Sequence, residues 1–221
     1  MTEPIIYLMR ALAMLLIIPA HEAAHAFVSW KLGDPTAKNY GRLTLNPVAH
    51  FDLMGAVCMI LIGVGWAKPV PTDPRRFRHP RRDMALSAAA GPVCNLLLAY
   101  LGMVLTKIWT YTASYSTFAV WVLVFLECFY SLNVSLAVFN LLPVPPFDGS
   151  RILLVFLPRR IYFGLMRYER YLMVAMLVLA FSGLLDGPLT WLNMGAHAVL
   201  DWSTGFIDRI FASTLYTTFY I

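Results

Sequence analysis

The stretch "MLLIIPAHEAAHAFVSW", residues 14–30, places three ionisable side chains, His21, Glu22 and His25, in an apolar run. Such side chains are costly at membrane depth and rarely occur there without a partner or a function. His21 and His25 are four residues apart, so on a helix their rings lie on one face, one turn apart. Two imidazoles so placed can take two positions of a tetrahedral Zn²⁺ site. Glu22 falls at the edge of that face, where it can reach a metal-bound water without being a ligand.

The composition of the chain indicates a membrane protein. Its 221 residues have a mean hydropathy of +0.66 and are only 13% charged, whereas a soluble domain of this length carries about 25% charged residues. Several apolar segments approach the roughly 20 residues needed to cross a bilayer as a helix. These candidate spans are residues 5–20, 84–106, 117–142 and 171–192. The sequence therefore predicts an all-α polytopic membrane protein.

Two further segments bring the expected number of transmembrane helices to about five to six. The run 53–66 is too short and too rich in glycine for a full span, which favours a re-entrant or interfacial segment. The tail, residues 197–221, mixes aromatic residues with Asp201, Asp208 and Arg209. It is compatible with an interfacial helix and with a final span.

The positive charge follows the loops and does not indicate nucleic-acid binding. Of the 17 Lys and Arg residues, nine lie within 31–82 and five within 151–170. The alternation of spans puts both loops on one side, which the positive-inside rule makes cytoplasmic. We expect one membrane domain over residues 1–221, with a core at about 5–155 and C-terminal helices at about 156–221.

A catalytic zinc needs a third protein ligand and an open coordination position. Asp148, in "FNLLPVPPFDGSRILL" (residues 139–154), is the strongest candidate for that ligand. It follows an apolar helix and three prolines, where irregular backbone can face a cavity instead of lipid. The alternative is an ordinary turn, because Asp before Gly is a common turn pair. The need for a third ligand favours metal binding.

Two asparagines are candidate substrate-binding residues. Asn95 lies inside a span, where its side chain can either hydrogen-bond a neighbouring helix or contact a substrate. The same two alternatives apply to Asn140, which is of more interest because it lies only eight residues before Asp148. The remaining histidines are expected to be solvated or interfacial and not ligands: His50, His79 and His197.

Two motifs, in this order, resemble those of a known family. "HEAAH" (21–25) and "NLLPVPPFDG" (140–149) resemble the HExxH and NxxPxxxxDG motifs of the site-2 proteases, which are intramembrane zinc metalloproteases. Three connecting segments are similar to those of the prokaryotic members: "GDPTAKNYGRLTLNPVAHFDLMG" (33–55), "AKPVP" (67–71) and "AGPVCN" (90–95). The resemblance covers roughly residues 5–155.

The resemblance implies a role for each motif residue. His21, His25 and Asp148 would bind one Zn²⁺, and Glu22 would be the general base. Asn140 would help to bind the substrate backbone or the oxyanion. Residues around 40–70 would form a small membrane-associated β segment, to whose edge a substrate could add as a strand. Many members carry a PDZ or CBS domain, or a span before the HExxH helix, and we expect none of these here.

We expect an intramembrane zinc endopeptidase of the cell membrane that hydrolyses peptide bonds in transmembrane segments of protein substrates. Its active site would lie toward the cytoplasmic face. Its partners would be the substrate and the lipid bilayer, with no nucleic acid; the sequence leaves the oligomeric state open. Two other classes remain. A metal-ion transporter would not need Glu22, and a catalytically silent binding protein would have lost a ligand or the base, whereas this chain retains all four residues.

Overall fold

The computed structural model describes residues 3–52, 68–158, 160–161, 164 and 167–219. The α-helices of the described residues are, in chain order, α1 (Glu3–Lys31), α2 (Thr36–Asn39), α3 (Pro47–His50), α4 (Pro80–Thr112), α5 (Thr117–Asn140), α6 (Asp148–Ile152), α7 (Glu169–Phe181) and α8 (Asp186–Phe219). Short 3-10 turns occupy Pro74–Arg76 and Leu153–Val155. Within the described residues, α1, α4 and α5 are long and apolar enough to cross a membrane. The prediction of a mostly helical membrane protein is confirmed.

Helices α1, α4 and α5 pack against one another through small residues. Ala13, Ala99 and Ala137, one from each helix, are completely buried. At Gly102 of α4, a Cβ would lie only 2.9 Å from the Cβ of Tyr130 on α5. Small side chains allow membrane helices to approach closely, so that van der Waals contact can hold them together. In the resulting three-helix frame, the part of α1 that carries the first motif packs against α4 and α5.

The predicted β segment around residues 40–70 is only partly described. Residues 40–52 form turns and α3, with one bridge residue, Phe51. The backbone N–H of Lys68 donates to the carbonyl of His50 at 2.8 Å, which joins the two ends of the segment. Residues 53–67, including the predicted re-entrant run 53–66, lie outside the described residues.

The prediction of one span over residues 171–192 is wrong, because two helices share that range. Helix α7 ends at Phe181 and α8 begins at Asp186. Between them Gly183 adopts a φ of +75°, which glycine reaches without the steric cost that a Cβ imposes. The apolar run therefore reverses at a glycine-centred turn, and its hydropathy alone gave no sign of the break.

The described part of the tail, residues 197–219, belongs to the 34-residue helix α8, which packs beside α4 and α5. Leu200 joins the buried cluster of Ala99 and Val134. Farther along, Lys107 Nζ of α4 lies 2.7 Å from Asp201 and 2.6 Å from Asp208. These paired contacts show that α8 runs alongside α4.

Candidate metal centre

The two histidines of the first motif project from one face of α1 into the helix interface. His21 and His25 are only 5% and 8% exposed. Their Nε2 atoms lie 3.0 Å apart, as the four-residue spacing on a helix predicts. Pro19 interrupts the hydrogen bonding of α1 just before them, because it has no N–H to donate. Both rings therefore present the same nitrogen to one point.

Asp148 meets the histidines from the opposite side. It is the first residue of α6, after the proline-rich turn, and Phe147 is the N-cap. Its Oδ2 lies 3.3 Å from His21 Nε2 and 3.2 Å from His25 Nε2. A Cβ at Gly149 would collide with the carbonyl of Leu141, so glycine is needed where the turn folds back on the end of α5. This close turn brings to the HExxH histidines a carboxylate that lies 123 residues after His25 in sequence.

The carboxyl of Asp148 is held in its ionised form. Burial by itself raises its pKa, but the hydrogen bonds with His21 and His25 outweigh burial. The pKa of Asp148 therefore lies well below its ordinary value. A metal requires a deprotonated carboxylate, so this environment suits the residue to be a ligand.

The separations of the three donor atoms are close to those that a zinc ion requires. Zinc bonds of 2.0–2.2 Å at tetrahedral angles place neighbouring donors about 3.3–3.6 Å apart. The observed separations are 3.0, 3.2 and 3.3 Å, so an ion at the centre needs only slight expansion of the cluster. His21, His25 and Asp148 can thus hold one metal ion and leave a fourth position open.

Helix α4 orients both rings through one face. Ser87, Gly91 and Asn95 follow each other at four-residue intervals and are all buried. The carbonyl of Ser87 lies 2.7 Å from His25 Nδ1, and the amide of Asn95 lies 3.1 Å from His21 Nδ1. At Gly91, a Cβ would come within 2.6 Å of His25 Cε1 and 2.5 Å of His21 Cε1. Gly91 therefore leaves the space that the two rings fill.

A polar cavity of about 180 Å³ opens beside the three donors. Glu22 and Asn140 line it, as does Arg151 on α6. Asn140 uses one N–H of its amide to donate to the carbonyl of Leu136 at 2.9 Å, which leaves its other N–H and its oxygen for a ligand. Asn95 is fully buried behind His21 and is not part of the lining, so its position does not favour the predicted contact with substrate.

The segment from Lys68 to Asp73 forms another wall of this cavity, through Pro69, Val70 and Thr72. Asp34, fully buried after α1, accepts a 2.7 Å hydrogen bond from the N–H of Asp73. Arg42 is also buried and donates to the carbonyls of Ala49 and Lys68. These two charged side chains attach the wall to the loops that follow α1.

His50 departs from the expectation of a solvated or interfacial histidine. It is completely buried, and its Nε2 lies 2.9 Å from the carbonyl of Thr44. His79, in contrast, is the exposed residue before α4, and His197 lies edge-on to Tyr130. None of the three joins the described cluster of metal donors.

Sequence reasoning did not single out Ser87, Gly91 or Arg151. Ser87 acts through its backbone carbonyl, Gly91 through the absence of a side chain, and Arg151 through a charge that resembles any other loop cation. One signal was available: the four-residue spacing of Ser87, Gly91 and Asn95 matches the spacing of the two histidines, as expected where two antiparallel helices face each other.

Comparison with known proteins places this arrangement in a family. The sequence profile of peptidase family M50 matches residues 9–183. The chain belongs to peptidase family M50. It is 39% identical over 207 residues to "Putative zinc metalloprotease YwhC" of Bacillus subtilis, an alignment that covers 87% of this chain and 90% of that protein.

More distant relatives carry a related description. "Putative zinc metalloprotease Rip2" of Mycolicibacterium smegmatis is 30% identical over 149 residues, which is 65% of this chain and 55% of that protein. Rip2 of Mycobacterium tuberculosis is 29% identical over 187 residues, covering 82% and 70%. No solved structure matches the chain. The resemblance to site-2 proteases is confirmed, and this M50 chain is a zinc metalloprotease.

Proposed function

We propose that this M50 chain is an intramembrane zinc endopeptidase that cleaves peptide bonds in transmembrane segments of protein substrates. One observation carries the proposal: His21, His25 and Asp148 converge beside Glu22 at a single cavity. The helices that supply the HExxH motif and its supports are long and apolar enough to span a membrane. Helices of this kind would place the metal chemistry where a membrane-embedded peptide can reach it.

The residues divide the reaction between them. His21, His25 and Asp148 would hold the zinc, which when bound acidifies water and polarises a carbonyl. Glu22 would accept a proton from the attacking water and return it to the leaving amine. Asn140 would hydrogen-bond the substrate backbone with the polar atoms that Leu136 leaves free. The side chain of Arg151, which has no hydrogen bond or ion pair within the described residues, would place a positive charge near the developing oxyanion.

We propose that the substrate unwinds and lies extended along Lys68–Asp73. The bridge residue Phe51 and the hydrogen bond from Lys68 to His50 support the small β segment expected at residues 40–70. Val70, in that segment, lines the cavity and has no backbone hydrogen bond within the described part of the chain. An exposed edge of this kind holds a peptide by main-chain hydrogen bonds.

We further propose a cell-membrane protein of one domain with about five to six membrane helices, of which α1, α4 and α5 are the clear spans. His25 lies six residues before the end of α1, or about 9 Å of helix from Lys31. The basic loops begin at that end, and the positive-inside rule assigns them to the cytoplasm. The site would then lie near the cytoplasmic face, where water has access.

The substitution Glu22→Gln tests the proposal. Gln keeps the size of Glu but cannot act as a base, so zinc should stay bound while cleavage of a model transmembrane substrate falls by about 10²–10⁴-fold. Zinc content and proteolysis are measured on the same detergent preparation. Glu127→Gln, on α5 and away from the cavity lining, is the matched control and should cleave at the parent rate.

Two results would contradict this mechanism. Parent-rate cleavage by Glu22→Gln with zinc retained would remove Glu22 as the base. A chain that carries zinc across vesicle membranes equally well with and without Glu22, and cleaves nothing, would be a metal transporter. Neither result is expected from the arrangement of Glu22 beside three convergent donors.

A further inference from the structure

Asn95 is placed against a metal-ligating ring without facing the cavity. It is fully buried on α4, and its Nδ2 lies 3.1 Å from His21 Nδ1. Its Oδ1 is also buried and has no hydrogen-bond partner among the residues that the structure describes. A buried amide oxygen without a partner is costly. The proposed chemistry at Glu22 gives this side chain no role, so its contact with His21 requires another explanation.

The explanation lies in the tautomer of His21, that is, in which nitrogen of its neutral ring carries the proton. A neutral imidazole carries one N–H and one lone pair. Since His21 Nε2 faces Asp148 and His25, a metal there takes the lone pair of Nε2 and leaves the proton on Nδ1. A buried N–H needs an acceptor. The neighbouring group is Asn95, and the only acceptor in its side chain is Oδ1.

The amide can meet this need by a half-turn. Rotation of the terminal amide exchanges Oδ1 and Nδ2 within almost the same volume. With Nδ2 toward the ring, the amide donates to a lone pair on Nδ1, which puts the ring proton on Nε2, facing Asp148. With Oδ1 toward the ring, the amide accepts the Nδ1 proton and leaves Nε2 free for the metal. The second orientation also gives Oδ1 the hydrogen bond it lacks.

We propose that Asn95 is a positioning residue that fixes His21 in its metal-binding tautomer through Oδ1. His25 already has an equivalent partner, because the carbonyl of Ser87, 2.7 Å from His25 Nδ1, can only accept. Helix α4 thus provides one acceptor for each histidine, Ser87 and Asn95, on the same face. Partners of this kind typically change metal affinity by about 10–100-fold. The inference rests on the proposed metal site.

The test measures zinc affinity of the purified full chain after removal of metal, by competition with a chromophoric chelator. Asn95→Leu keeps the size but removes the acceptor and should weaken zinc binding about 10–100-fold. Asn95→Asp restores an acceptor and should bind zinc close to the parent affinity. The control is Asn133→Leu, since Asn133 is equally buried but donates only to Phe129 of its own helix.

Cobalt in place of zinc gives a readout that a purely structural role would not change. Its visible absorption reports the ligand geometry, so Asn95→Leu should alter the spectrum and Asn95→Asp and Asn133→Leu should keep it. Parent zinc affinity in Asn95→Leu would overturn the proposal. If Asn95→Leu does not fold, Asn95→Asp decides, because a folded Asp variant with weakened zinc binding contradicts the need for an acceptor.

Two further outcomes distinguish a failure of the proposed role of Asn95 from a failure of the proposed metal site. An equal loss of affinity in Asn133→Leu and Asn95→Leu would assign the effect to general helix packing and overturn the role of Asn95. Parent zinc affinity in His25→Ala would overturn the metal site itself. A specific loss in Asn95→Leu, with rescue by Asp and none in the control, supports the proposal.

Discussion

The substitution Gly91→Ala gives a quantitative test of how helix α4 accommodates the metal centre. The added Cβ would lie 2.5 Å from His21 Cε1, 2.6 Å from His25 Cε1 and closer still to His25 Nε2. Real Cβ contacts are essentially never shorter than 3.0 Å. One methyl group would therefore press on both histidines at once, without removing any metal donor or changing any charge.

The size of the effect follows from these distances. To reach 3.0 Å, the His21 ring must retreat by about 0.5 Å and the His25 ring, whose Nε2 would lie 2.3 Å from the Cβ, by about 0.7 Å. Metal–ligand distances tolerate only about 0.2 Å. The rings cannot turn aside freely, because Ser87 and Asn95 hold their Nδ1 atoms. Since a 1 Å misplacement can cost about 10²-fold in rate, we expect cleavage to fall about 10–10²-fold and zinc binding to weaken with it.

Stability should change much less than activity. Overpacking costs about 1–3 kcal/mol, but Ala favours a helix over Gly by about 1 kcal/mol, so the net loss should be about 0–2 kcal/mol. Two glycine controls separate the effects. Gly102→Ala meets Tyr130 at 2.9 Å and should disturb helix packing but not zinc, and Gly205→Ala meets nothing within 4 Å.

The assay combines zinc content, cleavage of a model transmembrane substrate and thermal unfolding on one preparation of each variant. Gly91→Ala should lose zinc and activity while it stays folded. Full zinc content and parent activity in this variant would refute the placement of the two histidines against α4. A loss of activity equal to that of Gly102→Ala, with zinc retained, would refute the specific effect on the ligands.

Three other perturbations test separate parts of the molecule. Asp148→Ala should lower zinc content, because it removes one of three donors; unchanged content would return Asp148 to the role of a turn residue. In a chain without other reactive thiols, a membrane-impermeant reagent outside the cell should label a cysteine at Ser114 and spare one at Arg78, and the reverse pattern would contradict the cytoplasmic orientation. Lys107→Met should lower the free energy of unfolding by about 1–3 kcal/mol, between the values for exposed and buried ion pairs, because two carboxylates of α8 lose their shared cation. The zinc content of this variant should not change, because Lys107 lies about 30 Å along α4 from Ser87. A loss of zinc would contradict that separation.

The sequence by itself determined the features that depend on local periodicity. Hydropathy identified the three clear spans, and the four-residue spacing of His21 and His25 put both rings on one helix face, because a helix relates such residues directly. Local periodicity did not identify Asp148 as a metal ligand. Its role was predicted from the need for a third donor and from the resemblance of the two motifs to those of a known family. Hydropathy also merged α7 and α8, since an apolar run does not register the turn at Gly183.

Only the tertiary structure decided how the histidines are held. The partners of their Nδ1 atoms, Ser87 and Asn95, lie 62 and 74 residues away in sequence, and the space for both rings depends on the missing side chain of Gly91. The burial of His50 was equally invisible in the local sequence. These properties arise where separate segments meet, and the free energy of such contacts depends on distances and orientations that a one-dimensional pattern does not contain.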